Sequence, residues 1–143
     1  MLTAEDRWAI GETISLHGHL FDEGQLDRLD ALFTVDVIYD VSDLGSGVFV
    51  GIDAIRDGAL ALGARNPLAH LVTNIVITES EHDDDVAFVR SKALAIMSNH
   101  SCGTATHVDT VRRQSDGWRI SHRKILARRE PLGGQSASPS SPR

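Results

Sequence analysis

Residues 68–78 form an apolar, β-branched run that opens on His70 and carries Asn74. An imidazole in such a run has two uses: hydrogen-bonded within a core, or a general acid/base facing a pocket. Strand alternation puts His70 and Asn74 on one face with Val72 and Val76, and Leu71, Ile75 and Ile77 on the other. A second histidine, His17, recurs with Ile10, Ile14 and Phe21 at three- and four-residue steps. It therefore shares an apolar helical stripe, buried or lining a cavity. Further groups lie on other elements. Asp40 follows Tyr39 and either points inward beside it or caps the next loop. Asp109 reads as a cross-strand structural residue near a sheet edge. His122 and Arg123 are adjacent, so both face one cavity only if their strand bulges. His19, His82 and His100 read as surface or loop residues.

These groups support proton transfer better than the alternatives. No two candidate metal ligands stand at the helical three- or four-residue spacing that presents a pair together, so no metal is expected. No glycine-rich phosphate loop, nucleophile elbow or dinucleotide fingerprint is present. Cofactor-free general acid/base chemistry remains, in which a carboxylate orients a histidine and stabilises its imidazolium.

The elements that must position these groups are legible from periodicity and punctuation. Thr3 with Glu5 and Asp6 reads as a helix N-cap with acid in the first turn, opening a helix over residues 4–21. After Glu23-Gly24 the pattern predicts a second helix over 25–33, a short strand over 36–41 and a loop around Gly45–Gly47. A third helix over 51–63 ends at the Asn66-Pro67 stop. Strands are expected over 68–78, 86–97, 104–113 and 118–126, the last two joined by a tight turn at Ser115-Asp116-Gly117. In the strand from Val86, the residues Ala87, Val89, Ser91, Ala93 and Ala95 share one face, opposite Phe88, Arg90, Lys92 and Leu94. Small side chains along the first face leave space above it. Helices first and antiparallel strands afterwards give an α+β domain over residues 1–130. Residues 131–143, rich in Gly, Ser and Pro, read as a disordered tail.

The chain has 143 residues, 14 basic against 20 acidic, and a formal charge of −6. With no basic cluster, nucleic acid is an unexpected partner. The single cysteine, Cys102, forms no internal disulfide and suits a reducing cytoplasm. The acidic start does not resemble a secretory signal, and no apolar run reaches the ~20 residues that span a bilayer. Membrane association is not expected.

Five stretches carry a resemblance: residues 21–29 (FDEGQLDRL), 32–37 (LFTVDV), 51–55 (GIDAI), 70–74 (HLVTN) and 116–123 (DGWRISHR). Through them residues 2–129 resemble a SnoaL-like domain of the nuclear-transport-factor-2-like superfamily, in the branch of scytalone dehydratase, bile-acid dehydratases and ketosteroid isomerase. The resemblance implies a cone: a curved antiparallel sheet packed against three N-terminal helices. It implies that Asp22 and His70 share the acid/base work, and that Arg123 is the nearest match to an arginine used by some bile-acid dehydratases. Two positions that hold tyrosine in many relatives are here His17 and His107. The implied activity is cofactor-independent dehydration, isomerisation or cyclisation of a small hydrophobic carbonyl compound. His70 and Asp22 would be catalytic, with His17, His107, Tyr39, Asp40, Asn74 and Arg123 supporting. The alternative is a non-catalytic binding or assembly domain, such as the small subunit of ring-hydroxylating dioxygenases. Homodimerisation, or a higher homo-oligomer, through the open sheet face is expected under either reading, because Phe88 and Leu94 lie on it.

Overall fold

A computed structural model describes residues 1–138 of the chain. Its first element, helix α1 (Ala4–Asp22), starts at a capping box. The Thr3 hydroxyl accepts from the Asp6 N–H, and the Asp6 carboxylate accepts from the Thr3 N–H. Asp6 also accepts from Arg113 Nη1 at 2.7 Å and Trp118 Nε1 at 3.2 Å, which ties the helix start to the sheet. The Arg113 guanidinium holds the Asp6 carboxyl well below the usual carboxylate range. Of the stripe read from the sequence, Ile10, Ile14 and His17 are at most 2% exposed and Phe21 is half-buried against the same core; Leu20, outside the stripe, is buried as well.

The expected second helix is a 3₁₀ turn over Leu26–Ala31. Six residues are too few to recover the cost of an α-helical nucleus, and the β-prone Phe33, Thr34 and Val35 already belong to the next strand. Among the described residues only two α-helices are therefore present, α1 and α2 (Ile52–Leu62), with 3₁₀ turns beside them. Strand β1 runs Phe33–Asp40, and a strand missed by sequence reading, β2 (Val48–Val50), pairs with it through Tyr39 and Phe49. The long strands follow as β3 (Ala69–Glu79), β4 (Val86–Ile96), β5 (Cys102–Gln114) and β6 (Gly117–Ala127).

These strands make one six-stranded sheet in the order β2-β1-β6-β5-β4-β3. The sheet is mixed rather than antiparallel, because β1 lies parallel to β6. A returning strand that arrives before the helix α2 cannot know its neighbour from local pattern, and the chain places β6 beside it only at the end. The concave face holds the apolar core, where α1 packs through Ile10, Ile14 and Leu20 against Val37, Val89, Val111 and Ile120. Each fully buried Ile or Leu contributes roughly 1.5–3 kcal/mol. On β4 the alternation holds as far as Lys92, with Ala87, Val89 and Ser91 buried and Phe88 46% exposed on the outer face. Beyond it Ala93, Leu94, Ala95 and Ile96 are all half-buried, so Leu94 is not confined to the outer face as expected. No helix among the described residues is long and apolar enough to cross a membrane. Pro131–Gly134 forms an exposed 3₁₀ turn. The last part of the expected tail, from residue 139 on, lies outside the described residues.

Two irregularities re-aim side chains. In β3 the register shifts between Thr73 and Val76, with Asn74 at φ 54°. Residues before the shift face inward at His70 and Val72, and those after it at Ile75 and Ile77. Val76 is 63% exposed, so the single-face alternation expected for this strand does not hold. In β6 a shift opposite Thr110/Val111 leaves Ser121 unpaired between His122 and Ile120. Ile120 and Arg123 consequently both face inward, and His122 does not.

Candidate active site

One end of the concave face is not filled. A cavity of about 730 Å³ opens there, within the range that buries a drug-sized ligand. The small residues Ala93, Ala95 and Ala105 form its floor on the sheet, and Phe21, Phe49, Ile55 and Leu62 are among its apolar walls. Among the described residues no Asp or Glu lines it. Its polar end is built from three histidines, His17 of α1, His70 of β3 and His107 of β5, whose rings stand 5.0 Å (His17–His70) and 5.6 Å (His17–His107) apart.

His70 pairs with Asp22. The imidazole Nδ1 lies 2.6 Å from Asp22 Oδ1, and the same carboxylate accepts from the His70 backbone N–H at 2.9 and 3.1 Å. The fold makes this possible in two ways. Strand β3 is an edge strand, so its outward N–H groups lack a sheet partner, and the end of α1 supplies one. Gly18, one turn before Asp22, lets the helix touch the strand: a Cβ there would lie 2.3 Å from the His70 carbonyl oxygen. A carboxylate can only accept, so the imidazole proton sits on Nδ1 and the lone pair on Nε2, at the ring edge away from Asp22. That is the arrangement of a general base with an orienting partner. Gly18→Ala should therefore cost roughly 1–3 kcal/mol through overpacking and separate the pair, which a thermal melt and the loss of the Asp22–His70 contact in a crystal structure would check.

His17 and His107 are of a different kind. His17 is 2% and His107 3% exposed. Burial, reinforced by the Arg123 cation, holds the His17 imidazole well below the usual histidine range and pushes His107 down to about 2. Both rings are neutral at physiological pH. Tyr39, which also lines the cavity, is pushed up to about 12 by burial and stays a phenol. Behind His17, Arg123 is wholly buried. Its Nε and Nη2 donate to the two oxygens of Asp109 at 2.7 and 2.8 Å, and its Nη1 lies 2.9 Å from His17 Nδ1.

The two depressed histidines have a consequence for stability. Below a pH of about 6.5 the unfolded chain protonates these imidazoles and the folded protein does not. Their contribution is thus complete above that pH and is lost as pH falls, by about 1.4 kcal/mol per pH unit for each at most. Urea midpoints should drop steeply between pH 6.5 and 5, and His17→Gln with His107→Gln should flatten that slope. An unchanged slope in the double variant would assign the loss to other groups.

Of the residues singled out from sequence, His70, His17, His107 and Tyr39 line the cavity, Asp22 joins them through its bond to His70, and three take no part in the wall. Asn74 sits exposed on the shifted part of β3. Asp40 accepts from the Ser42 N–H and hydroxyl, so it caps the following turn. Arg123 supports His17 from inside the core instead of touching the cavity. Asp109, read as lying near a sheet edge, is on an interior strand and 2% exposed. Its two-residue spacing from His107 was the signal that both face inward. Although three histidines converge, no group of His, Cys, Asp or Glu among the described residues is placed to hold a metal, and with Nδ1 facing Arg123, His17 offers a proton at its other nitrogen and not a lone pair.

Similar folds are known. A provisionally assigned aromatic ring hydroxylase from Novosphingobium aromaticivorans superposes with a TM-score of 0.72 at 26% identity, covering 89% of this chain and 92% of that one. A nuclear-transport-factor-2-like protein with a cystatin-like fold from the same organism gives 0.72 at 26%, covering 92% and 85%. A provisionally assigned scytalone dehydratase, again from that organism, gives 0.70 at 22%, covering 87% and 85%. No curated protein matches the chain significantly. The SnoaL-like domain model matches residues 2–124, nearly the whole folded domain that carries the histidine cluster, and the chain therefore belongs to the SnoaL-like domain family.

Proposed function

We propose that this protein is a cofactor-independent acid/base enzyme that dehydrates, isomerises or cyclises a small hydrophobic carbonyl compound. The observation that supports it most is the His70–Asp22 pair, whose imidazole lines a mainly apolar cavity. His70 Nε2 removes a proton from the carbon next to the carbonyl, and Asp22 stabilises the imidazolium that forms. The carbonyl oxygen takes up the negative charge, held by neutral donors from His17, His107 and Tyr39, and this stabilisation is usually the larger effect. The imidazolium then returns the proton. Delivered to a β-hydroxyl it releases water, and delivered to a different carbon it shifts the double bond.

The test is turnover of a panel of cyclic β-hydroxy ketones and β,γ-unsaturated ketones, followed by the absorbance of the conjugated enone. Activity should persist after exhaustive dialysis against a chelator, without added cofactor. Tight binding of these compounds with no turnover by any of them would favour the binding-domain reading.

A further inference from the structure

We infer that Asp109 and Arg123 are positioning residues that lock His17 as a neutral Nε2–H donor, making the polar end of the cavity a receptor for an oxygen on which negative charge develops, as in an enolate or a phenolate. This rests on the reading of the cavity as a reaction site, and it adds a ligand class and two residues that do not touch the ligand.

The lock follows from hydrogen-bond inventory. A guanidinium has five donors and no acceptor. The 2.9 Å contact between Arg123 Nη1 and His17 Nδ1 is therefore a hydrogen bond only if Nδ1 carries its lone pair. The other tautomer would set N–H against N–H, and a protonated ring would set two cations at that distance. Neither arrangement has water to relieve it, since Arg123 is 0% and His17 2% exposed. The single ring proton is thus on Nε2, which has no partner among the described residues, on a ring that lines the cavity.

The guanidinium is itself fixed. Its bidentate bond to Asp109 uses Nε and Nη2, sets the plane, and leaves Nη1 for His17. The shift in β6 that leaves Ser121 unpaired is what turns Arg123 inward to meet Asp109, its direct cross-strand neighbour. The imidazole plane is held by stacking on Phe21, 4.5 Å between centroids. Because Asp109 balances the charge of Arg123, the unit adds no net charge to the cavity. It aligns one polarised N–H beside the His70 base. His107 completes the set: its Nδ1 is buried without a partner, as is the hydroxyl of Ser91 directly across the sheet. An unpartnered acceptor at Nδ1 costs less than an unpartnered N–H, so its proton too belongs on Nε2.

Two measurements test this. In protein labelled with ¹⁵N-histidine, long-range proton–nitrogen correlation at pH 7 should show His17 with one protonated nitrogen, the one strongly coupled to both ring C–H protons. A proton on Nδ1, or a doubly protonated ring, overturns the lock without needing any variant. The second uses 2-naphthol as a probe, its ionisation read by absorbance. Bound to the protein, its ratio of ionised to neutral form at a fixed pH should exceed that of free 2-naphthol by about tenfold or more. His17→Phe, which keeps an aromatic ring against Phe21, should abolish the excess, as should Arg123→Met if that variant folds. No excess in the parent, or an excess unchanged in His17→Phe, overturns the inference. The base assignment is separable: loss of turnover in His70→Ala together with a Nδ1–H tautomer at His17 would leave the base standing and remove the lock.

Discussion

Asp109→Asn should lower the unfolding free energy by about 3–5 kcal/mol, the usual cost of leaving one member of a buried ion pair without its counter-charge. Arg123 is 0% and Asp109 2% exposed, so neither can turn to solvent when the other is lost. For a domain of this length the change corresponds to a fall in melting temperature of roughly 10 °C or more. Arg123→Met should be milder than Asp109→Asn, because it removes the charge together with the donors and leaves Asp109 free to take up a proton. The double variant Asp109→Leu/Arg123→Met should be milder still, since an apolar pair of similar volume leaves no charge behind. Chemical denaturation of the four proteins checks the series. If Asp109→Asn costs less than about 1 kcal/mol, the pair is not held as described, and the fixed orientation of His17 falls with it.

His70→Ala should reduce turnover by about 10²–10⁴-fold, the usual contribution of a positioned general base, with little change in KM. The side chain is partly accessible, 21% exposed, and its neighbours on β3 and β4 pair through backbone bonds, so the fold should survive the truncation. Asp22→Asn is the more informative companion. An asparagine can still accept from the His70 backbone N–H, keeping the end of α1 against β3. Its amide, however, can donate to Nδ1, which would place the ring proton on Nε2 and remove the lone pair from the cavity. A loss of similar size to that of His70→Ala, with unchanged melting temperature, is expected. Kinetics equal to the parent in Asp22→Asn would mean that the carboxylate only anchors the strand.

Periodicity placed much of this site. The stripe of α1 put His17 beside Ile10 and Ile14, and the alternation on β4 found the small residues that leave the cavity open. What it could not supply was strand order. Asp109 reads as an edge residue because its neighbours alternate with polar ones, yet β5 lies between β6 and β4, and only the finished sheet makes that position interior. Nor did it supply the register shifts. The left-handed turn at Asn74 and the unpaired Ser121 each move one residue to the other face, and neither has a glycine or proline to mark it. The Asp22–His70 contact joins residues 48 apart on different elements, and it was the likeness of residues 21–29 and 70–74 to a known family, not any spacing, that brought the two together. The second helix failed for a simpler reason: its leucines fit a helical pattern, but six residues between Gln25 and Leu32 leave room only for a 3₁₀ turn.

The central claim is that His70 removes a carbon-bound proton from a molecule seated in the cavity. Proton exchange tests it before the full reaction is known, because dehydration, isomerisation and cyclisation by this route all begin with that step. Cyclic ketones and β-hydroxy ketones would be incubated in D₂O with the parent protein and with His70→Ala, and deuterium at the α-carbon followed by NMR. The parent should accelerate exchange for at least one ligand that it binds, and His70→Ala should bind the same ligand and return the rate to that of buffer. Exchange that persists in His70→Ala would contradict the assignment of the base, and bound ligands that never exchange in the parent would contradict the enzyme.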